Sequence, residues 1–219
     1  MELTGEFSNG SGRDSGLGLA VHGTWMYDDH WSFSGRYDGY SNEIPMRGRL
    51  NEDVHGWSLG GDAEYRVSDL RSFGGGIQFL KFSDGNRRSQ ANISAFQRLI
   101  NRPRYKLDGR AAVYTSSNIR TNASYYNPHS DLSLELSVIN QWQLMHRFDR
   151  SFLHRLGLNL GLYQESGIGN KPVAGIFYEH EWQFHDRLNL IYGVALNRPV
   201  YDGVYETHSR LYLNLHWRF

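Results

Sequence analysis

The stretch Ser209-Arg210-Leu211-Tyr212-Leu213-Asn214-Leu215-His216-Trp217-Arg218-Phe219 alternates without a break. Leu211, Leu213, Leu215, Trp217 and Phe219 fall on one face of a strand, and Arg210, Tyr212, Asn214, His216 and Arg218 on the other. In a soluble sandwich the greasy face would pack on a second sheet and the polar face would meet water. In a membrane barrel the greasy face meets lipid and the polar face lines a wet lumen. The same pattern recurs upstream. Leu132, Leu134, Leu136 and Val138 alternate with Ser133, Glu135 and Ser137. Leu156, Leu158, Leu160 and Leu162 alternate with Arg155, Gly157, Asn159 and Gly161. Leu188, Leu190, Tyr192, Val194 and Leu196 alternate with Asn189, Gly193, Ala195 and Asn197. An Arg or Lys on a lipid face costs about 2–4 kcal/mol at mid-bilayer, and these apolar stripes carry none.

Working outward from them, the chain divides into about twelve strand-like segments of roughly 8 to 14 residues, a length that suits tilted membrane strands. They are Glu2–Asn9, Gly16–Tyr27, Trp31–Asn42, Gly56–Val67, Arg71–Phe82, Ser89–Ile100, Tyr105–Ser116, Leu132–Met145, Phe152–Gln164, Pro172–Phe184, Arg187–Asn197 and Tyr205–Phe219. Connections after even-numbered segments are tight, as at Asp28-Asp29-His30 and His185-Asp186. Those after odd-numbered segments are longer and polar, as at Glu43–His55 and Ser117–Asp131. Short periplasmic turns alternating with long outer loops mark an outer-membrane barrel. The expected fold is therefore all-β, a transmembrane antiparallel barrel of about twelve strands. Its first and last strands are expected to pair, because lipid cannot satisfy an open edge.

Composition agrees. There are 23 basic and 23 acidic residues, which argues against a nucleic-acid partner. Fourteen Tyr, 11 Phe and 6 Trp can furnish interfacial girdles, for which Trp25, Trp31, Trp57, Trp142 and Trp182 are placed. Mean hydropathy is −0.59, compatible with a barrel in which only alternate residues face lipid. No cysteine is present, which removes disulfides, thiol catalysis and Cys-based zinc sites. Met1 leads straight into the first strand without a signal peptide, so residues 1–219 are expected to be one barrel domain of a longer chain.

No catalytic, metal or cofactor group is expected. Gly56-Trp57-Ser58-Leu59-Gly60 has the spacing of a nucleophile elbow but lies inside an alternating strand with no helix after it. His180 points away from Glu179 and Glu181 by strand parity, and reads as an interfacial histidine. On the polar face, Asp62, Glu64, Asp108, Glu135, Glu179 and Glu181 are the candidate substrate-path residues. Two readings stay open for them: a lattice of cross-strand ion pairs with neighbours such as Arg110 and Arg210, or a charged track for a charged polymer.

Several stretches carry a family resemblance. They are Ile44-Pro45-Met46-Arg47, Phe82-Ser83-Asp84-Gly85-Asn86, Tyr125-Tyr126-Asn127-Pro128 with Asp131, Arg147-Phe148-Asp149-Arg150, Pro199 with Tyr201-Asp202-Gly203, and Trp217-Arg218-Phe219. Their order resembles the carboxy-terminal barrel of the poly-β-1,6-N-acetylglucosamine export porins of Gram-negative outer membranes. The resemblance implies passive export of a partly de-N-acetylated, positively charged amino-sugar polysaccharide. It also implies an outer-membrane lipid surround, barrel assembly machinery, and periplasmic export and deacetylase components. Leu215, Trp217 and Phe219 resemble the terminal assembly signal of such barrels. Tyr125, Tyr126 and Asn127 would sit in an outer-mouth loop, where flat rings stack on sugars and amides bond hydroxyls. That family couples a periplasmic helical-repeat domain to a sixteen-stranded barrel, whereas this sequence has no helical-repeat region and room for about twelve strands. Either four strands are missing at the amino end or the barrel is a smaller relative. The competing functions are an outer-membrane phospholipase-type enzyme and an uptake channel for acidic oligosaccharides. The latter should show arginine tracks along the whole lumen. Here Arg66, Arg71, Arg98, Arg102, Arg104, Arg147, Arg150 and Arg187 gather near the short turns, which is inconvenient for a polycation exporter. Asp69, Asp149 and Asp186 lie close by to neutralise part of that charge.

Overall fold

Alternation of large apolar and polar residues drives the chain into long antiparallel hairpins. A computed structural model describes residues 2–9, 17–41, 43–45, 48, 53–120, 122–123 and 125–217, with backbone alone for 2–9 and 17–18. Twelve strands form one sheet in sequence order. They are β1 (Glu2–Asn9), β2 (Leu17–Met26), β3 (Trp31–Asp38), β4 (Gly56–Ser68), β5 (Arg71–Phe82), β6 (Arg87–Arg102), β7 (Tyr105–Asn118), β8 (Ser130–Arg147), β9 (Arg150–Glu165), β10 (Gly169–His185), β11 (Leu188–Arg198) and β14 (His208–Trp217). A separate two-stranded ribbon pairs β12 (Val200–Tyr201) with β13 (Val204–Tyr205).

Two corrections to the expected strands follow. The last strand starts at His208, not Tyr205, because Asp202 and Gly203 adopt φ of 49° and 75°. Two consecutive left-handed residues make the tight hairpin turn that joins β12 to β13 and splits off the upstream residues. The second correction concerns the seam. Among the described residues β1 pairs with β2 and β14 with β11, and the strand order ends at each, so the expected pairing of first and last strands is not formed.

Which face meets what is decided by exposure. Cross-strand pairs Trp31↔Tyr65, Tyr37↔Leu59, Leu59↔Phe79, Tyr192↔Leu213 and Val194↔Leu211 lie on one face. That face is open: Leu211 is 82%, Leu213 69% and Leu160 66% exposed. The buried groups include Ser58, Gln78, Ser116, Asn118, Asp131 and Glu165. This arrangement inverts that of a soluble domain. Apolar area left in water forgoes about 25 cal/mol per Å2, so a surface of this extent requires an apolar solvent. A sandwich would have buried it.

The chain forms two compact units. Unit 1 comprises residues 1–95, 112–133 and 164–169; unit 2 comprises 96–111, 134–163 and 170–219. Unit 1 holds the one apolar core among the described residues: Ile44, Val54, Leu80, Phe82 and Tyr125, with Ala123 against it. Leu80 and Phe82 break the polar parity of β5, and the loop residues Ile44, Val54 and Tyr125 cover them. In unit 2 the polar face of β9 and β10 is pinched at Gly157, where a Cβ would stand 1.9 Å from the Phe177 ring. Any side chain at that position would collide with the aromatic ring.

Candidate functional site

Strand parity places the six candidate carboxylates on the polar face, and register decides their neighbours. Asp62 lies between Ser34 of β3 and Gly76 of β5, and its Oδ2 accepts from Ser34 Oγ at 3.4 Å. Glu64, opposite Ser32 and Gly74, is exposed. Glu135 accepts a hydrogen bond from Ser137 Oγ at 3.0 Å. Among the described residues none of these three has an ion-pair partner within 4.0 Å.

The other three are paired. Asp108 takes a fork of bonds from Arg98, Nε to Oδ1 at 2.7 Å and Nη2 to Oδ2 at 3.0 Å. Glu179 and Glu181 share Arg155. Its Nη1 donates to Glu179 Oε1 at 2.5 Å, its Nη2 to Glu181 Oε2, and its Nε to Gln141 Oε1 at 3.1 Å. Tyr212 OH donates to Glu179 Oε2 at 3.0 Å and Asn189 Nδ2 to Glu181 Oε1 at 2.7 Å. Two carboxylates with one guanidinium leave one net negative charge. The partner is Arg155, and Arg210 instead lies over the Tyr212 ring at 5.4 Å. Sequence reasoning placed Arg155 on the polar face without giving it this role. The signal was available: Glu165 and Gly169 flank the tight turn between β9 and β10, and ten residues back and ten forward stand Arg155 and Glu179.

A second polar network lies in unit 1. Glu43 accepts from Gln78 Nε2 and Gln90 Nε2, both at 2.9 Å. Arg36 donates to Gln78 Oε1 at 3.2 Å, and Tyr114 OH donates to Gln90 Oε1 at 2.5 Å. Arg88 Nη2 reaches Tyr114 OH at 2.9 Å and Ser116 Oγ at 3.1 Å, and Ser116 Oγ donates to Asp131. None of these uncharged groups was singled out from the sequence, because a lone Gln on a strand carries no local signal.

The three loop candidates fall in different environments. Tyr125 is only 4% exposed; its ring meets Phe82 edge-on, centroids 6.0 Å apart, and its OH donates to Asp84 Oδ2 at 2.8 Å. Tyr126 OH donates to Glu165 Oε2 at 3.3 Å, and buried Asn127 donates Nδ2 to Arg120 O at 2.7 Å. Tyr125 therefore serves the loop core in this arrangement, with its faces turned inward. Burial first pushes its hydroxyl up from 10.0 to about 12; the hydrogen bond from the Asn86 amide, next in size, works against this, and the Asp84 carboxylate adds to the rise. A raised folded pKa favours the protonated form, so this group's contribution is whole below pH 10 and is lost as pH rises through about 12. Absorbance of tyrosinate, wild type minus Tyr125→Phe, is expected to show one tyrosine titrating near 12. Titration of that residue near 10 would contradict the buried placement.

In the candidate assembly signal, Leu215 and Trp217 stand on the open apolar face, 57% and 63% exposed; Phe219 lies outside the described residues. Ser58, the elbow candidate, is buried on the polar face opposite Asp38 and Leu80. Among the described residues no group of three or more His, Asp or Glu side chains could hold a metal.

An open apolar face, a polar face rich in side-chain networks and hairpins in sequence order define an outer-membrane β-barrel of the porin class. The family model for the PgaA membrane beta barrel domain matches residues 1–219, and the chain belongs to that family. Membership places it in the outer membrane among polysaccharide-export barrels. A solved structure described as a bacterial polysaccharide outer membrane secretin superposes at a TM-score of 0.89 with 19% identity, over 94% of this chain and 71% of that one. At that identity the likeness is one of fold. A KdgM porin in complex with disordered oligogalacturonate gives a TM-score of 0.46 at 8% identity, over 93% of each chain. A NanC porin gives 0.45 at 9%, over 99% of this chain and 98% of that one. Neither of these last two scores argues for a shared detail. No curated protein matches the sequence.

Proposed function

We propose that the chain conducts a partly de-N-acetylated poly-β-1,6-N-acetylglucosamine outward across the outer membrane. The observation that carries this reading is the set of carboxylates on the polar face, Asp62, Glu64 and Glu135, with no cationic partner among the described residues. In a confined lumen their attraction for ammonium groups outlasts the ~8 Å screening length of physiological salt. The net negative charge left at Glu179, Glu181 and Arg155 acts in the same sense. Weak, repeated stations hold a polymer without stalling it. The Gln78–Gln90–Tyr114 network supplies amides and a hydroxyl suited to acetamido and hydroxyl groups of the sugar. No bond is made or broken.

In this reading the loop between β7 and β8 forms the outer mouth and contacts the sugar. The barrel assembly machinery and the periplasmic export and deacetylase components complete the proposed pathway. The triple change Asp62→Asn, Glu64→Gln, Glu135→Gln is expected to lower cation selectivity in planar bilayers severalfold and to slow polymer secretion, with assembly intact. Unchanged selectivity and secretion would reject the acidic track. Anion selectivity in the unaltered protein would instead favour the uptake channel for acidic oligosaccharides, to which the arginines beside the short turns are suited.

A further inference from the structure

The lipid-side face of unit 2 carries a chain of four polar groups that the polysaccharide path does not use. His154 on β9, Tyr178 and His180 on β10, and Tyr192 on β11 share the parity of the leucine stripes. Tyr178 OH stands 2.9 Å from both His154 Nδ1 and His180 Nε2, and Tyr192 OH stands 2.9 Å from His180 Nδ1. Aromatic rings wall the chain. Trp142 meets His154 edge-on at 5.2 Å, and Phe152 stacks on Trp182 at 4.0 Å while touching His180 at 5.2 Å.

Four neutral groups bring four protons to three links. One proton is therefore left over: it points out of the chain at His154 Nε2 or at Tyr192 OH, or at Tyr178 OH if that oxygen accepts from both imidazoles. With the proton at either end the three bonds run in a single direction. A charged acceptor at the His154 end would align them, so that Tyr192 donates to His180, His180 to Tyr178, Tyr178 to His154, and His154 Nε2–H to the acceptor. Chains aligned in this way strengthen one another, and a bond to an ionised oxygen is roughly twice as strong as a neutral one. A polar end left facing hydrocarbon costs free energy that such an acceptor removes.

The same strand supplies a cation. Arg150 opens β9 and shares parity with Phe152 and His154, four residues away or about 13 Å along the strand. It is exposed and has no ion-pair partner among the described residues. A guanidinium on a long stem beside the short turn and an imidazole N–H further in bracket the ring of Phe152 from both sides.

We propose that Arg150 and His154, backed by the Tyr178–His180–Tyr192 chain and walled by Trp142 and Phe152, form a subsite for the phosphate of a glycerophospholipid in the leaflet facing the short turns. The phosphate lies over the Phe152 edge between the Arg150 guanidinium and the His154 imidazole N–H, and the acyl chains run along the leucine stripes. The subsite does not depend on which polymer the channel carries.

The purified full chain, delipidated in detergent, is offered equimolar phosphatidylglycerol and digalactosyl diacylglycerol with the same acyl chains, and retained lipid is counted by native mass spectrometry. Unaltered protein is expected to retain the phospholipid about tenfold over the glycolipid. His154→Phe and Arg150→Gln should each reduce that ratio severalfold, as should Tyr178→Phe, which keeps the ring and removes the hydroxyl that joins the two imidazoles. Heat-modifiable migration identifies folded samples, and the two single-end variants stand in if Tyr178→Phe does not fold. Equal retention of the two lipids by unaltered protein overturns the proposal, as does an unchanged ratio in both His154→Phe and Arg150→Gln. An unchanged ratio in folded Tyr178→Phe overturns the role of the chain.

Discussion

Replacing Arg155 with methionine is expected to lower the stability of the folded barrel by about 2 kcal/mol. Breaking a fully buried ion pair costs ~3–5 kcal/mol, and solvent that reaches part of these side chains reduces the figure. The side chains of Arg155, Glu179 and Glu181 are 25%, 17% and 18% exposed. Without the guanidinium, Glu179 and Glu181 face each other as like charges on one side of β10. Among the described residues Tyr212 and Asn189 remain to donate to them. The fraction of heat-modifiable protein and the urea midpoint should both fall. The discriminating sample is the triple variant Arg155→Met, Glu179→Gln, Glu181→Gln. It removes the uncompensated charge and should recover most of the loss, because replacing a whole ion cluster is often near neutral. If Arg155→Met alone is as stable as the unaltered chain, the cluster is not a brace.

Asn86→Leu is expected to release the outer loop while leaving the strands paired. Asn86 is 0% exposed and sits after Gly85, whose φ of 88° only a glycine adopts easily. Its backbone N–H donates to Asp84 Oδ1 at 2.9 Å, and its carbonyl accepts from Phe82 N at 2.9 Å. Its side chain donates to Asn118 Oδ1 at 3.1 Å and Tyr125 OH at 3.3 Å, and accepts from Arg120 N at 3.1 Å. Leucine keeps the volume roughly and removes the partner of Asn118 Oδ1 and of Arg120 N, while Tyr125 OH keeps its bond to Asp84. Each buried polar group left unpaired costs about 1–3 kcal/mol, so a local loss near 3 kcal/mol is expected. Limited proteolysis of intact cells should then cut between Ile119 and Ser130, with heat-modifiable migration unchanged. Persistent resistance would show that the apolar contacts of Ile44, Val54 and Phe82 hold the loop unaided.

Alternation over Ser209–Phe219 and its counterparts was sufficient to assign strands, faces and approximate strand number, since side-chain direction in a strand depends only on residue parity. The bounds of Arg71–Phe82 coincide with those in the structure, because turn residues on either side, Gly85 among them, close the strand locally. The turn at Asp202-Gly203 is equally local, but its pairing of β12 with β13 takes Tyr205 out of the last strand. The pairing of Arg155 with Glu179 and Glu181 depends on register between β9 and β10. A one-residue slip would have sent the guanidinium to the opposite face. Tyr125 reads from the sequence as an exposed loop aromatic. It is buried because Leu80 and Phe82, on a face otherwise polar, need a cover that comes from distant residues. The edges at β1 and β14 are likewise a matter of long-range pairing. Periodicity told which side of each strand is greasy; which groups meet across the polar side was decided by register and loop packing, both long-range in sequence.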